Sequence, residues 1–243
     1  MNIYAIVLAA GKGTRMDDPR PKVLVDYKDK PMLGHVLDSL SKVGTEKCVC
    51  IVGYKAEEVK DFVRYNHKNQ SIEFALQNEQ LGTGHAVMMA EENLRDNSGH
   101  TFILCGDVPN LSSDTLNALQ NEHIKNNNSV TVLTAIATNP HGYGRIVKSE
   151  DGHLDSIVEE KDADEEIKRI NEINSGTYLV DNILLFEALK NISSDNAQNE
   201  YYLTDIIKII KSNGHKVGTF VVQEFDEIVG INSKEDLMKA ELN

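Results

Sequence analysis

Residues 1–22 read MNIYAIVLAAGKGTRMDDPRPK, and they are the most informative segment for the fold. The run IYAIVLAA is apolar throughout and lacks the polar alternation of a strand exposed on one face. Such a run is typical of a parallel strand that is covered on both faces. A glycine-rich loop follows, with Arg15 in it and Lys22 just after it. The segment therefore predicts an α/β fold with an anion-binding loop at the carboxyl end of its first strand.

Strands and helices alternate through the first half of the chain. PMLGHVLDSLSKVG has apolar residues at helical spacing, and Pro31 and Gly44 suit its two ends. The strand patterns KCVCIVG, IEFALQ and TFILCGD are separated by the helical patterns AEEVKDFVRYN and GHAVMMAEENL. This order predicts right-handed βαβ crossovers and a doubly wound parallel sheet that binds ligands at the carboxyl ends of its strands.

The rhythm changes beyond about residue 128. VTVLTAIAT, GRIVKSEDGHLDSIVEE and INSGTYLV read as strands with short polar connections, and EDG indicates a hairpin. The helical patterns ILLFEALKNI and YYLTDIIKIIKSNG follow, then the strand KVGTFVV and a last helix, SKEDLMKAEL, which Ser233 can cap. The second half is therefore predicted to be richer in strands than the first.

Composition excludes several classes of protein. The chain has 243 residues, 40% of them hydrophobic, and a formal net charge of -13. An acidic chain argues against a nucleic acid or an anionic membrane as partner, since such binders display basic patches. No run reaches the length of a membrane span, and we expect a cytoplasmic protein. Cys48, Cys50 and Cys105 lie in strand patterns and are interpreted as buried thiols rather than metal or redox groups.

The glycine-rich loop fits neither common phosphate-binding fingerprint. GxGxxG and GxxxxGK[ST] both require glycine where Met16 stands. Even so, Gly11 and Gly13 would let backbone N–H groups approach an anion closely. Arg15 adds a planar fork and Lys22 a compact charge, which together suit a polyphosphate. The alternative is a tight turn carrying two solvated cations.

Polar residues also follow the third and fourth strand patterns. In LQNEQLGTGHA, Gln77 and Gln80 can each offer a donor and an acceptor to a base edge, although glutamines in such a position are more often surface residues. Gly82 and Thr83 precede a helical pattern. His85, one turn into that helix, is interpreted as structural.

Asp107 directly follows a buried strand in FILCGDVP, where a carboxylate could hold a hard cation that bridges phosphates. The alternative is a turn-forming aspartate. In GYGRI, VEEKDA and EINSG, the residues Gly144, Glu159 and Asn174 suggest a second ligand that faces the first. Each of these signals is weak by itself.

Taken in order, the motifs match a known family. LAAGKGTRM, QLGTGHA, GDVP, GYGRI, VEEKDA, EINSG, EYYLTD and GIN resemble the N-terminal domain of the bacterial bifunctional N-acetylglucosamine-1-phosphate uridylyltransferase/glucosamine-1-phosphate acetyltransferases. LAAGKGTRM alone marks only the wider sugar-nucleotidyltransferase superfamily, whereas the later motifs are narrower. The resemblance implies a Rossmann-like nucleotidyltransferase fold, with a central, mostly parallel mixed sheet flanked by helices and a smaller β-rich sugar-binding lobe. We expect one domain over 1–243, with a nucleotide-binding half at 1–128 and a sugar-binding half with C-terminal helices at 129–243.

The resemblance also implies roles for particular residues. The expected catalytic residues are Arg15, Lys22 and Asp107. The expected nucleotide-binding residues are Leu8, Ala9, Ala10, Gly11, Gly13, Lys22, Gln77, Gln80, Gly82 and Thr83. The expected sugar-binding residues are Gly144, Glu159, Asn174 and Asn232. Mg²⁺ is the expected cofactor, held by Asp107 and Asn232.

The reaction implied by the resemblance joins UTP and N-acetylglucosamine 1-phosphate to give UDP-N-acetylglucosamine and pyrophosphate. One alternative is transfer to another sugar, such as glucose 1-phosphate with UTP or dTTP. Another is a non-catalytic protein that binds nucleotide sugars. The family's second half, a trimerising left-handed β-helix that carries acetyl transfer, has no counterpart here, so a monomer without acetyltransferase activity is expected. Within the matching motifs, Ser175 and Asn199 stand where the family usually has threonine and glycine.

Overall fold

The computed structural model describes residues 2–242. Its strands in chain order are β1 (Ile3–Ala9), β2 (Asp26–Tyr27), β3 (Lys30–Pro31), β4 (Lys47–Val52), β5 (Ile72–Leu76), β6 (His100–Cys105), β7 (Val130–Ile136), β8 (Arg145–Lys148), β9 (Leu154–Val158), β10 (Glu172–Asp181) and β11 (Val217–Val221). Its α-helices are α1 (Met32–Val43), α2 (Ala56–Asn66), α3 (Thr83–Met88), α4 (Glu91–Leu94), α5 (Ser113–Lys125), α6 (Asn182–Leu189), α7 (Asp205–Ser212) and α8 (Lys234–Leu242). Short 3₁₀ turns lie at Thr14–Met16, Lys22–Leu24, Ile167–Arg169 and Phe225–Ile228.

The central sheet is mostly parallel, as predicted. Its strand order is β11-β7-β10-β6-β1-β4-β5. β1 pairs in parallel with β4 and β6, β4 with β5, and β7 with β11. β10 is antiparallel to both β6 and β7 and so joins strands from the two halves of the sequence into one sheet. The expected mixed sheet flanked by helices is therefore confirmed.

The β8–β9 hairpin supplies additional strand structure beside the sheet. The EDG turn joins the two strands, and Gly152 in it has φ +81°. The hairpin meets β10 where Arg145 pairs with Ile173. Because this pairing lies near the start of β10, the hairpin stands beside the carboxyl ends of the parallel strands.

Two helical predictions need correction. GHAVMMAEENL forms two short helices, α3 and α4, because Met89 and Ala90 donate to carbonyls three residues back and interrupt the α-helical ladder. The predicted helix YYLTDIIKIIKSNG begins only at Asp205. Tyr201 instead pairs its backbone with Leu81 and Gly84. This pairing holds residues 81–84 and 201 side by side at the edge of the site described below.

The core lies on both faces of the sheet. In β1 the side chains of Ala5, Val7 and Ala9 pack in one cluster, and those of Tyr4 and Ile6 in another on the opposite face. This confirms the two-sided burial predicted from IYAIVLAA. The thiols of Cys48 and Cys50 are free and buried, and burial raises the pKa of each. Within residues 2–242, no helix is long and apolar enough to cross a membrane.

Candidate active site

The loop after β1 is shaped by Gly13, whose φ of +67° and ψ of 47° are left-handed. A Cβ added to Gly13 would overlap the Lys22 side chain, 2.9 Å from its Cγ. A Cβ added to Gly11 would meet nothing within 4 Å. Gly13 therefore lets Lys22 pack directly against the loop, while Gly11 faces open space into which a ligand can come close to the backbone.

Lys22 is the centre of a polar cluster that joins three distant parts of the chain. Its ammonium contacts the Asp107 carboxylate and donates to Asn232 Oδ1 at 2.9 Å. Arg15 Nη2 donates to the same Asn232 oxygen at 3.3 Å. Backbone pairing fixes the arrangement, because Ile231 N donates to Asp107 O at 3.0 Å. The structure thus brings together Arg15, Lys22, Asp107 and Asn232.

A cavity of about 290 Å³ opens beside this cluster. It is lined by Leu8, Ala10, Gly11, Lys22, Val23, Gln77, Gln80, Gly82, Thr83, Ala86, Cys105, Asp107 and Glu200. Most of the predicted nucleotide-binding residues are in this set. Gln77 follows β5 and Asp107 follows β6, and β1 and β4 lie between these strands in the sheet, so the amide groups and the lysine–carboxylate pair lie at opposite ends of the cavity.

Two of the predicted nucleotide-binding residues do not line the cavity. Ala9 is 1% exposed and its side chain lies in the core on the far face of β1, because neighbouring residues of a strand point to opposite faces. Gly13 lies beneath Lys22 and acts on the cavity through that side chain. For Ala9, only the backbone could meet a ligand.

The amide end of the cavity is built by Gln77, which directly follows β5 and is 3% exposed. Its Nε2 lies 3.2 Å from Gly82 O and 3.1 Å from His85 Nδ1. Gln80 is exposed and donates from Nε2 to the backbone oxygen of Gln77 at 3.4 Å. A Cβ on Gly82, whose φ is +111°, would come within 2.6 Å of Tyr201 O. Glycine is therefore required at position 82 for the pairing that closes this end.

Gly144, Glu159 and Asn174 meet on the hairpin side of the sheet. Asn174 N donates to Gly144 O at 2.9 Å, and a Cβ on Gly144 would lie 3.3 Å from Glu159 Oε2. Glu159 accepts from Thr204 Oγ1 at 3.2 Å, and burial raises its pKa. A cavity of about 340 Å³ borders Glu159; it is lined by His141, Gly142, Glu159, Glu160, Lys161, Lys168 and Gln198.

The predicted sugar-binding residues differ in which hydrogen bonds their side chains already make within the protein. The Asn174 amide is already engaged, since Nδ2 donates to Tyr178 OH at 2.7 Å and Oδ1 accepts from Gly176 N at 3.0 Å. The Asn232 side chain bonds to Arg15, Lys22 and the Gly230 carbonyl. Asn232 therefore belongs by contact to the Lys22 cluster rather than to the group around Glu159.

The two departures from the family motifs have structural explanations. Ser175 Oγ donates to Leu133 O at 2.7 Å and accepts from Thr177 N, so the hydroxyl that serine shares with threonine is used. Asn199 has φ +53°, a backbone region that glycine adopts freely and asparagine tolerates. The turn is therefore compatible with asparagine.

The donor set around Lys22 suits a hard cation. Asp107 and Asn232 both direct an oxygen at the same cationic ammonium, so the two oxygens already face one positive centre. Mg²⁺ is commonly held by one or two carboxylates together with substrate phosphates and water. Within residues 2–242 no group of three or more His, Cys, Asp or Glu side chains could hold a metal ion. A metal at this site would thus depend on oxygens of substrate phosphates and of water for much of its coordination.

Comparison with known proteins identifies the family. A family model described as nucleotidyl transferase matches residues 4–229. The chain belongs to the nucleotidyl transferase family. Members of this family are generally metal dependent. The mostly parallel sheet and the loop after β1 are thus a nucleotidyl transferase scaffold.

Curated relatives of this nucleotidyl transferase carry the name bifunctional protein GlmU. The relative from Geobacillus thermodenitrificans (strain NG80-2) is 48% identical over 238 residues, which cover 98% of this chain and 51% of the relative. The relative from Streptococcus suis (strain 98HAH33) is 51% identical over 240 residues, with 99% and 51% covered. The chain spans about half the length of these relatives. The resemblance to the bifunctional family is confirmed.

Solved structures support the nucleotidyl transferase fold. HddC from Yersinia pseudotuberculosis, complexed with GMP-PN, has a TM-score of 0.71 at 22% identity, with 98% of each chain covered. A UDP-glucose pyrophosphorylase complexed with UDP-glucose has a TM-score of 0.77 at 19% identity, with 100% of this chain and 98% of that chain covered. At these identities the likeness concerns the fold alone.

Some cavity residues were not predicted from the sequence. Cys105 ends β6 two residues before Asp107, and burial raises the pKa of its thiol to about 12, so it lines the wall as a neutral group. Glu200 comes from the segment before α7 and reaches the cavity because Tyr201 pairs with Leu81 and Gly84. Cys105 had been interpreted as a buried thiol like Cys48 and Cys50, whereas it is partly exposed because it lines this cavity. Glu200 is the first residue of the motif EYYLTD, and that is the only signal the sequence offers for it.

Proposed function

We propose that this protein is a uridylyltransferase that transfers UMP from UTP to N-acetylglucosamine 1-phosphate. The products would be UDP-N-acetylglucosamine and pyrophosphate. The observation that carries the proposal is a single cavity with Gln77, Gly82 and Thr83 at one end and Lys22 with Asp107 at the other. Such a cavity suits a molecule with a base at one end and phosphates at the other. The relatives named bifunctional protein GlmU support the same proposal.

The nucleoside would lie over the end of β1. Leu8, Ala10 and Gly11 offer an apolar surface and an accessible backbone, while Gln77 and Gln80 offer amide groups for a base edge. Gly82 and Thr83 begin α3 and would meet the nucleoside through backbone and hydroxyl groups. We assign the two remaining predicted positions, Ala9 and Gly13, to backbone support of the same loop.

The attacking group needs no general base. A sugar 1-phosphate has a second pKa of about 6 and is mostly a dianion at neutral pH. The chemistry therefore requires alignment of the attacking oxygen, the α-phosphorus and the departing pyrophosphate.

The chain's cations would offset the repulsion between a dianion and a triphosphate. Lys22 lies where the cavity meets Asp107, and its side chain is only 14% exposed. A partly buried charge is screened less by water than an exposed one and so acts more strongly on a neighbouring phosphate. Arg15 is exposed, and its guanidinium can turn from Asn232 to a phosphate oxygen. We therefore assign Arg15 and Lys22 to the transferring and departing phosphates.

Asp107 and Asn232 would hold Mg²⁺. When bound, the metal supplies positive charge that polarises phosphoryl oxygens. Ile231 anchors the segment that carries Asn232 to the backbone of Asp107 at the end of β6. The two ligands are therefore positioned by backbone hydrogen bonding before substrate arrives.

The sugar would lie between the hairpin and β10. Glu159 would offer carboxylate oxygens to sugar hydroxyls. The space beside Gly144 is taken up by the side chains of Ile157, Glu159 and Asn174, so this glycine lets those side chains pack close to its backbone. The Asn174 amide, held by Tyr178 and Gly176, would present its remaining hydrogen-bonding capacity in a fixed orientation. The division of the chain into a nucleotide-binding half and a sugar-binding half stays a prediction of this proposal.

Pyrophosphate release over a grid of substrates tests the proposal. The grid pairs UTP, dTTP, CTP and GTP with N-acetylglucosamine 1-phosphate and glucose 1-phosphate, in the presence of Mg²⁺. We expect the highest kcat/KM for UTP with N-acetylglucosamine 1-phosphate. A higher value for glucose 1-phosphate would reassign the sugar, and no release with any pair would favour a non-catalytic protein. Light scattering of the same preparation tests the expected monomer.

A further inference from the structure

The Gln77 amide has one defined orientation. Gly82 O can only accept a hydrogen bond, so the amide group 3.2 Å from it must be Nε2. Nε2 also lies 3.1 Å from His85 Nδ1, so both amide hydrogens are committed to the wall behind the cavity. Within the described chain, Oε1 accepts no hydrogen bond and is not among the buried atoms that lack a partner. The accessible group of Gln77 is therefore an acceptor.

This orientation in turn defines the His85 ring. Because Nε2 of Gln77 donates, His85 Nδ1 must accept and carries no hydrogen. The neutral ring then has its proton on Nε2. Backbone pairing of Gly84 and Leu81 with Tyr201 holds the start of α3, and the Tyr201 ring centroid lies 6.3 Å from that of His85. His85 thus lies on the side of Gln77 away from the cavity, where it borders a second cavity together with Tyr201.

We propose that His85 is a positioning residue that sets base selectivity by holding the Gln77 amide with Oε1 towards the base. This inference rests on the proposed function. Uracil carries an N–H donor at N3, whereas cytosine carries a lone pair there. Gln77 Oε1, as an acceptor on the cavity wall, attracts the N3–H group of uracil and repels the N3 lone pair of cytosine. If the Gln77 amide were rotated, it would present its NH₂ group to the base instead.

The expected change in base selectivity follows from the number of hydrogen bonds that hold the Gln77 amide. With His85 unable to accept, Gly82 O is the one remaining anchor among the contacts of the amide nitrogen. Loss of one neutral hydrogen bond changes an equilibrium by roughly three- to tenfold. We therefore expect the ratio of kcat/KM for UTP to that for CTP to fall by about this factor.

Two substitutions of His85 separate positioning from packing. His85→Leu keeps an apolar side chain of moderate size and removes the acceptor. His85→Asn retains an acceptor oxygen near the place of Nδ1. We expect His85→Leu to lower the UTP to CTP ratio and His85→Asn to keep it within about twofold of wild type.

A double-mutant cycle tests whether His85 acts through Gln77. In a Gln77→Leu background the amide is gone, so His85→Leu should no longer change the UTP to CTP ratio. An equal fall of the ratio in both backgrounds would assign His85 a general structural role. An unchanged ratio for His85→Leu in the otherwise wild-type chain would also overturn the proposal.

Two further measurements separate a failure of this inference from a failure of the proposed function and from misfolding of the leucine variant. Wild-type protein that does not use UTP would refute the proposed function, whereas wild-type activity with an unchanged His85→Leu ratio would refute this inference alone. If the leucine variant does not fold, ¹⁵N NMR of histidine-labelled wild type reports the tautomer, with the His85 signal identified by its loss in His85→Asn. We expect an unprotonated Nδ1, and a protonated Nδ1 would overturn the assignment.

Discussion

Replacement of Gly13 by alanine should displace Lys22 and so abolish most of the activity. Gly13 has φ +67° and ψ 47°, and an L-residue in this region costs about 1–2 kcal/mol. The added Cβ would also overlap Lys22 Cβ and lie 2.9 Å from its Cγ and 3.1 Å from its Cδ. Because Lys22 Cβ is attached to the backbone, rotation of the side chain alone cannot relieve this overlap. The lysine itself must move.

Gly44→Ala is the matched control. Gly44 ends α1 with φ +81° and ψ 46°, nearly the same backbone conformation, but a Cβ there meets nothing within 4 Å. We expect Gly44→Ala to lose about 1–2 kcal/mol in the free energy of unfolding, measured by urea titration, and Gly13→Ala to lose at least as much. Only Gly13→Ala should also lose pyrophosphate release, on the order of 100-fold, because a shift of about 1 Å at a catalytic group has that effect.

Two outcomes for Gly13→Ala and Gly44→Ala would count against the role of Gly13. Wild-type turnover in Gly13→Ala would mean that the position of Lys22 against the loop does not matter for the reaction. An equal loss of turnover in both variants would attribute the effect to stability rather than to geometry. Either result would contradict the role given to Gly13.

Three other substitutions probe the metal site, the sugar side and the pH dependence of folding. Asp107→Asn should raise the Mg²⁺ concentration needed for half-maximal rate, and an unchanged metal titration would remove Asp107 from the metal site. Glu159→Gln should raise KM for N-acetylglucosamine 1-phosphate about tenfold, while KM for UTP stays within about twofold of wild type. The reason is that a charged hydrogen-bond acceptor is lost only on the sugar side. Equal changes in both KM values would contradict this assignment. Burial lowers the pKa of His123 from 6.5 to about 4. As pH falls, this imidazole therefore takes up a proton in the unfolded chain at a higher pH than in the folded one. The free energy of unfolding should therefore decrease between pH 6.5 and about 4, by up to about 3 kcal/mol, and urea titrations should show less of this decrease in His123→Asn.

The sequence was sufficient to predict the scaffold because the scaffold depends on local pattern. The two-faced burial of β1 and the helix between Pro31 and Gly44 follow from residue spacing and end signals alone. The break between α3 and α4 was missed because apolar spacing continues across it, while the backbone tightens at Met89 and Ala90.

The composition of the site was harder to predict because it depends on contacts between distant segments. Asn232 reaches Asp107 through a backbone hydrogen bond of Ile231, and no spacing rule links these positions. Only the family resemblance placed Asn232 in the site. Glu200 was missed for a similar reason, since Tyr201 had been assigned to a helix and instead pairs with the loop at Gly82.

Formation of UDP-N-acetylglucosamine is the quantity that bears most directly on the proposed chemistry. It should be measured by chromatography with UTP, N-acetylglucosamine 1-phosphate and Mg²⁺, for wild type, Lys22→Ala and Lys42→Ala. Lys42 is exposed on α1 and serves as the matched lysine. We expect product from wild type and Lys42→Ala at similar rates, and a rate at least about 100-fold lower for Lys22→Ala. Absence of product from wild type, or equal rates for the two variants, would contradict the proposed uridylyl transfer at this site.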